Sequence, residues 1–185
     1  MKIITLFQMF IVLALSMPVF AGRPPRADRV FTDHMVLQCD QPVPIWGKAR
    51  ANTDIVVVLG EYRQATQSDA NGYWRVVFDP MPANSTPQTL LMTDLGLGGG
   101  DMQLNDVLVG EVWLCTGQSN MYLRMREGQV NDAKQIIQNA DHPLIRMSFN
   151  HKPWQAITPQ TVTNHSAVSY LTAIQLQDQL KVPIG

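Results

Sequence analysis

Apolar positions in the first half of the chain recur at the spacing of strands. Residues 34–38 (HMVLQ) and 43–46 (VPIW) are short apolar runs separated by the polar turn 39–42. Residues 55–59 (IVVVL) are β-branched or aliphatic throughout, which favours a strand. From 73 to 78 the pattern alternates, with Trp74, Val76 and Phe78 on one face and Tyr73, Arg75 and Val77 on the other. The turn Asp69-Ala70-Asn71-Gly72 joins this strand to the weakly alternating residues 63–68, so the two predict a hairpin. Residues 88–93 predict a further strand, bounded by Pro80, Pro82 and Pro87 before it and by the loop 95–101 (LGLGGGD) after it. Short strands with turn signals between them imply an N-terminal β-sandwich over residues 22–105.

The second half changes period. Val107, Leu108, Val109, Val112, Trp113, Leu114 and Cys115 form an apolar run broken only by Gly110 and Glu111, which predicts a strand buried on both faces. Glu111 within it is expected to meet a buried donor or to lie near the strand's open end. Ala133, Ile136, Ile137 and Ala140 sit at helical spacing and predict a helix over 131–139. Residues 143–149 (PLIRMSF) predict a strand, 166–180 a helix with Ala167, Tyr170, Leu171 and Ile174 along one stripe, and 182–185 (VPIG) the start of a third strand. Strand, helix, strand, helix, strand is the signature of a parallel α/β sheet. Such a sheet covers both faces and usually exceeds three strands, so residues 106–185 are expected to be a truncated, incomplete part of that domain.

Residues 1–21 are set apart from the fold. Lys2 gives a positive start, residues 3–20 are apolar apart from Thr5, Gln8 and Ser16, and Val19-Phe20-Ala21 ends in the small residues of a signal-peptide cleavage site. Cleavage after Ala21 predicts a periplasmic or secreted protein with no stable membrane insertion. A net charge of −1 with 16% charged residues and no basic cluster argues against a nucleic-acid surface. Cys39 and Cys115 are expected to be buried thiols rather than a disulfide pair. No Cys or His spacing suggests a metal site, and no cofactor is implied.

The candidate chemistry lies in Thr116-Gly117-Gln118-Ser119-Asn120, where small and polar residues follow the apolar run. A serine just past a buried strand sits where open α/β sheets place their ligands. Gly117 is expected to let the backbone turn tightly. The amides of Gln118 and Asn120 are either donors to a ligand or hydrogen bonds that fix the loop.

The segment 110–121, GEVWLCTGQSNM, resembles the first sequence block of the SGNH-hydrolase superfamily in its sialate O-acetylesterase-like form. The resemblance implies that Ser119, the serine of GQSN, is the acyl-accepting nucleophile; the family more often has Ser where this chain has Thr116. HMVLQ, PVPIWG and NGYWRVVFDPMPA resemble the N-terminal β-domain of the same family, and WQAITPQTVTNHSAVSYL resembles the stretch between its first two motif blocks. The implied fold is a β-sandwich followed by the start of an SGNH, flavodoxin-like α/β domain. The implied activity is a serine esterase that removes O-acetyl groups from carbohydrate, either sialic acid or an acetylated polysaccharide. The Ser119 N–H would hold the oxyanion, with Gly117, Gln118 and Asn120 as oxyanion or substrate candidates. The family continues into a glycine-bearing block and an Asp-x-x-His block that supplies the base. Neither occurs in this sequence. The 185 residues alone are therefore expected to be nearly inactive. The competing expectation is a non-catalytic carbohydrate-binding or adaptor protein on an esterase scaffold. His34, His142, His151 and His165 match no catalytic block and read as surface or capping residues. Tyr62, Tyr73 and Trp74 form either a sugar-stacking face or part of the core. The sequence selects neither the sugar nor an oligomeric state.

Overall fold

A computed structural model describes residues 23–127, 129–150 and 152–185. The expected signal segment 1–21 lies outside the described residues, as does His151.

Among the described residues, eight strands precede the candidate serine. β1 (Arg26–Ala27), β3 (Val43–Lys48) and β6 (Tyr73–Phe78) form an antiparallel sheet in the order β1-β3-β6. β2 (Val36–Gln38), β4 (Asp54–Leu59), β5 (Tyr62–Gln67), β7 (Asn84–Asp94) and β8 (Asp101–Gly110) form a mixed sheet in the order β2-β8-β7-β4-β5. Only the β2–β8 pair is parallel. The alternation in β6 is borne out: Trp74, Val76 and Phe78 are buried, while Tyr73, Arg75 and Val77 face solvent. These three join Val43, Ile45, Ile55, Val57, Leu59, Leu90, Met92, Leu104, Val107 and Val109 in one apolar core shared by both sheets.

Two expectations fail, both because pairing partners are chosen at long range. Residues 63–68 and 73–78 are not a hairpin: β5 pairs with β4 and β6 pairs with β3, so the turn at 69–72 carries the chain from one sheet to the other. The hairpin actually formed joins β4 to β5 through Gly60, which takes a positive φ of 56°. The apolar run 107–115 is also not buried throughout. Val107, Leu108 and Val109 lie at 0–1% exposure between β2 and β7, whereas Trp113 is 52% and Leu114 92% exposed. Strand β8 therefore crosses the anticipated junction at 105/106 and ends at Gly110, where a Cβ would sit 2.1 Å from the Pro183 carbonyl oxygen.

A second core fills the remainder. α2 (Ala133–Gln138), β9 (His142–Met147), β10 (Gln155–Ile157) and α3 (Ala167–Leu180) bury Ala133, Ile145, Ile157, Ala167, Tyr170 and Ala173, with Met125 and Ile184 beside them. β9 pairs with β10 antiparallel. α3 starts where its sequence signals a start, with Ser166 as N-cap accepting from the Ser169 N–H. The start of a parallel sheet is present as single bridges: Ile184 pairs in parallel with both Glu111 and Ile145. That order puts 183–185 between the other two segments. In a flavodoxin-like sheet the first strand would lie between the second and third, so the order seen here departs from that expectation.

The two cores are joined by polar contacts. Arg146, with only 5% of its side chain exposed, donates Nη1 to Asp106 Oδ2 at 2.6 Å and Nη2 to Asp106 Oδ1 at 3.0 Å. Its Nε donates to the Pro143 carbonyl at 2.7 Å. Trp154 Nε1 donates to the Val30 carbonyl at 3.1 Å, and its backbone N–H donates to Thr32 Oγ1 at 3.0 Å.

Candidate active site

Beyond Gly110 the chain is held on one side by 183–185: Glu111 N–H donates to Pro183 O at 2.9 Å, Gly185 N–H to Glu111 O at 2.8 Å and Trp113 N–H to Gly185 O at 2.9 Å. Val112 N–H donates to Gln38 Oε1 at 2.9 Å. Glu111 meets the donor its place in an apolar run demands, since the Cys39 thiol donates to its Oε1 at 3.5 Å. Burial, together with the neighbouring Glu111 carboxylate, pushes the Cys39 thiol up to about 11. Cys115 is a free thiol too but is exposed, contrary to expectation, because the strand has ended before it.

Ser119 opens a single-turn helix, α1 (Ser119–Tyr122), with Gln118 in extended conformation before it. The far end of that turn is anchored. Tyr122 packs edge-on against Phe149 with ring centroids 5.6 Å apart, and Leu123 O accepts from the Ala167 N–H at 2.8 Å. Ser119, Gln118 and Asn120 are exposed, and their side chains make no hydrogen bond among the described residues. Gly117 does not take a positive φ; its requirement is space, since a Cβ there would sit 2.7 Å from Met121 Cγ.

Beside this turn runs a crevice of about 550 Å³ lined by Gly117, Met121, Tyr122, Phe149, Trp154 and His165, among others. Its size falls within the usual range for a small-molecule site, ~300–1,000 Å³. Gly117 and Met121 line it, whereas Gln118, Ser119 and Asn120 do not. The candidate hydroxyl therefore stands at the rim rather than in the wall.

His165 is the residue that sequence reasoning misplaced. Expected as a surface or capping residue, it does cap the short helix 162–164 but is 3% exposed, with Nε2 3.3 Å from Gln155 Oε1 and Nδ1 without a partner among the described residues. Burial, with a smaller contribution from Lys152, pushes its pKa below the usual histidine value. Its imidazole sits in the crevice wall. No signal in the sequence separates it from a helix-capping histidine. The other two described histidines lie elsewhere: His34 Nδ1 is 2.6 Å from Asp106 Oδ2, and His142 packs on Tyr170 at 5.9 Å between ring centroids. The aromatic trio does not share a face, for Trp74 is buried in the core while Tyr73 is exposed on the opposite side of β6.

Over 87% of its length the chain shares its fold with a carbohydrate acetylesterase from Xanthomonas citri, at 32% identity and a TM-score of 0.79, covering 39% of that protein. Over that stretch the fold is thus the one seen in a carbohydrate acetylesterase. Sialate O-acetylesterases from Mus musculus and Homo sapiens are each 26% identical, over 83% and 95% of this chain. These matches support a likeness to the sialate O-acetylesterase-like family. It spans 33% of the mouse protein's length and 40% of the human protein's. No family model matches the sequence.

Proposed function

We propose that the protein is a carbohydrate O-acetylesterase in which Ser119 is the acyl-accepting nucleophile, with a base supplied from outside these 185 residues. The observation that carries this reading is the placement of Ser119: exposed, with an unengaged hydroxyl, on a turn whose neighbours Gly117 and Met121 line a crevice of ligand size. Attack of Ser119 Oγ on an acetyl carbonyl generates an oxyanion. The Ser119 N–H receives it, and the free amides of Gln118 and Asn120 are within the same turn to assist. The serine remains a weak nucleophile until a base removes its proton. No Asp-x-x-His pattern occurs in the sequence, so these 185 residues alone are expected to lack ~10⁴–10⁶ of the turnover of a complete triad. The substrate class is an O-acetylated sugar, either sialic acid or a polysaccharide unit. The same reading includes export after cleavage at Ala21, a β-sandwich over 22–105 and an SGNH-type α/β domain beginning at 106.

Acetate release from 4-nitrophenyl acetate by the complete protein, compared with its Ser119→Ala variant, tests the assignment. Loss of release in the variant with an unchanged melting temperature is expected, because an exposed, unpaired hydroxyl contributes within ~0.5 kcal/mol to stability. Turnover that survives the substitution removes Ser119 from the mechanism. Sugar binding by a complete protein with no acetate release would instead favour the adaptor reading.

A further inference from the structure

β7 does not follow its neighbour regularly. Asn84 pairs with Val109 and Gln88 with Val107, so four steps on β7 oppose two on β8. Pro87 lies in this stretch and has no N–H to give the ladder, which is where a strand bulges outward. The bulge leaves a cavity of about 270 Å³ between β7 and the β4–β5 turn. Its floor is apolar, formed by the buried side chains of Met81 and Val109. Its rim carries Glu61, Tyr62, Asn84 and Gln88. Gln88 Oε1 lies 2.3 Å from where a Cβ on Gly60 would be, so the absence of a side chain at Gly60 lets the amide rest over the turn.

Most polar side chains around this cavity are unengaged. Among the described residues, Glu61, the Tyr62 hydroxyl and the Gln88 amide make no side-chain hydrogen bond, and Asn84 uses only its Oδ1, which accepts from the Thr86 N–H at 2.8 Å. An apolar floor with a few convergent, unpaired polar groups and one aromatic ring is the composition of a ligand site. Planar amides and a carboxylate pair with vicinal hydroxyls, and a tyrosine ring accepts the C–H face of a pyranose. The volume is just below the usual range for drug-sized ligands, which suits one sugar ring of a longer chain. Glu61 is the charged residue on the rim, and its carboxylate repels an acidic sugar.

We propose that this cavity, formed by the β7 bulge against the β4–β5 turn, is an accessory site for a neutral saccharide unit, separate from the Ser119 crevice. It shares only the carbohydrate class with the proposed activity. The cavity would hold a neutral polysaccharide chain while the serine acts elsewhere along it. The test is amide chemical-shift mapping of the ¹⁵N-labelled chain with xylohexaose, mannohexaose and N-acetylneuraminic acid. A neutral hexaose is expected to shift the amides of 60–62, 81–84 and 88, and N-acetylneuraminic acid to leave them unmoved. Gln88→Ala and Glu61→Ala should each weaken the hexaose at least about fivefold, and Ser119→Ala should not change it. The proposal is overturned if neither hexaose moves these amides at ~10 mM, if the acidic sugar moves them equally, or if Gln88→Ala binds like the parent with a native spectrum. Absent binding alongside Ser119-dependent acetate release by the complete protein would remove this site and leave the esterase reading standing.

Discussion

Asp106→Asn isolates the charge that joins the two cores. Asp106 sits at a positive φ of 56°, a conformation asparagine adopts about as readily as aspartate, so the backbone is not strained by the change. What is lost is the carboxylate opposite Arg146, whose side chain is 5% exposed. The new amide has one oxygen to offer where two accepted, and its NH₂ faces a guanidinium that can only donate. Leaving a buried charge without its partner costs ~3–5 kcal/mol, and the 29% exposure of Asp106 lets water reach the site, so ~3 kcal/mol is expected. For a chain of this size that is a fall of ~6–12 °C in melting temperature at pH 7. The pH dependence has a definite sign. The Arg146 hydrogen bonds, followed by the contact with His34, hold the Asp106 carboxyl below the usual carboxylate range, against the opposing effect of burial. Its contribution is therefore complete above the unfolded value of ~3.9 and is lost as pH falls through the depressed folded value. Thermal unfolding followed by circular dichroism at pH 7 and near pH 2 checks both points. The gap between parent and variant should be wide at pH 7 and narrow in acid. A variant that melts within ~2 °C of the parent at pH 7, or a gap that ignores pH, refutes the role given to the pair.

The two thiols should behave differently. At pH 8 iodoacetamide is expected to label Cys115 alone, because Cys39 is 3% exposed and its thiol is raised to about 11, so it stays protonated; mass spectrometry showing two adducts on the native chain contradicts the burial described. Gly47→Ala brings a Cβ to 1.9 Å from the Arg26 carbonyl oxygen, which must detach β1 or shift β3. A loss of ~1–3 kcal/mol in urea unfolding, with new tryptic cleavage at Arg26, is expected, and parent-like stability would show that β1 contributes nothing.

What could be read from the sequence was local. The alternation of Trp74, Val76 and Phe78 marked a half-buried strand because the two-residue period belongs to the strand itself. Ser166 marked the start of α3 because a cap acts within one turn. Partner choice was not local. The turn at 69–72 signals a change of direction but not which sheet receives the chain, and a true hairpin and a sheet-to-sheet crossing share its residues. The run 107–115 looked uniformly buried because apolarity records what a residue tolerates, whereas its cover is set by residues 36–38 and 183–185, about seventy positions away on either side. His165 was misread for the same reason: its burial comes from a neighbourhood that includes Gln155 and Lys152, not from its own segment. At the candidate site, Ser119 was legible as a serine after a strand, but the crevice beside it depends on Phe149, Trp154 and His165 arriving from three later segments.

Strand β8 has a mechanical consequence. It pairs with β7 from Asp101 to Val109 and with β2 over 108–110, whereas past Gly110 the backbone is held by isolated bonds to 183–185 and to the Gln38 side chain. The reactive turn is thus a cantilever: rigid at its root, braced at the tip by Tyr122 on Phe149, and compliant between. Hydrogen–deuterium exchange should show a step rather than a slope across this join, slow up to 110 and fast from 114 to 118. Removal of the early strands would cost the serine its mounting even though none of them touches it.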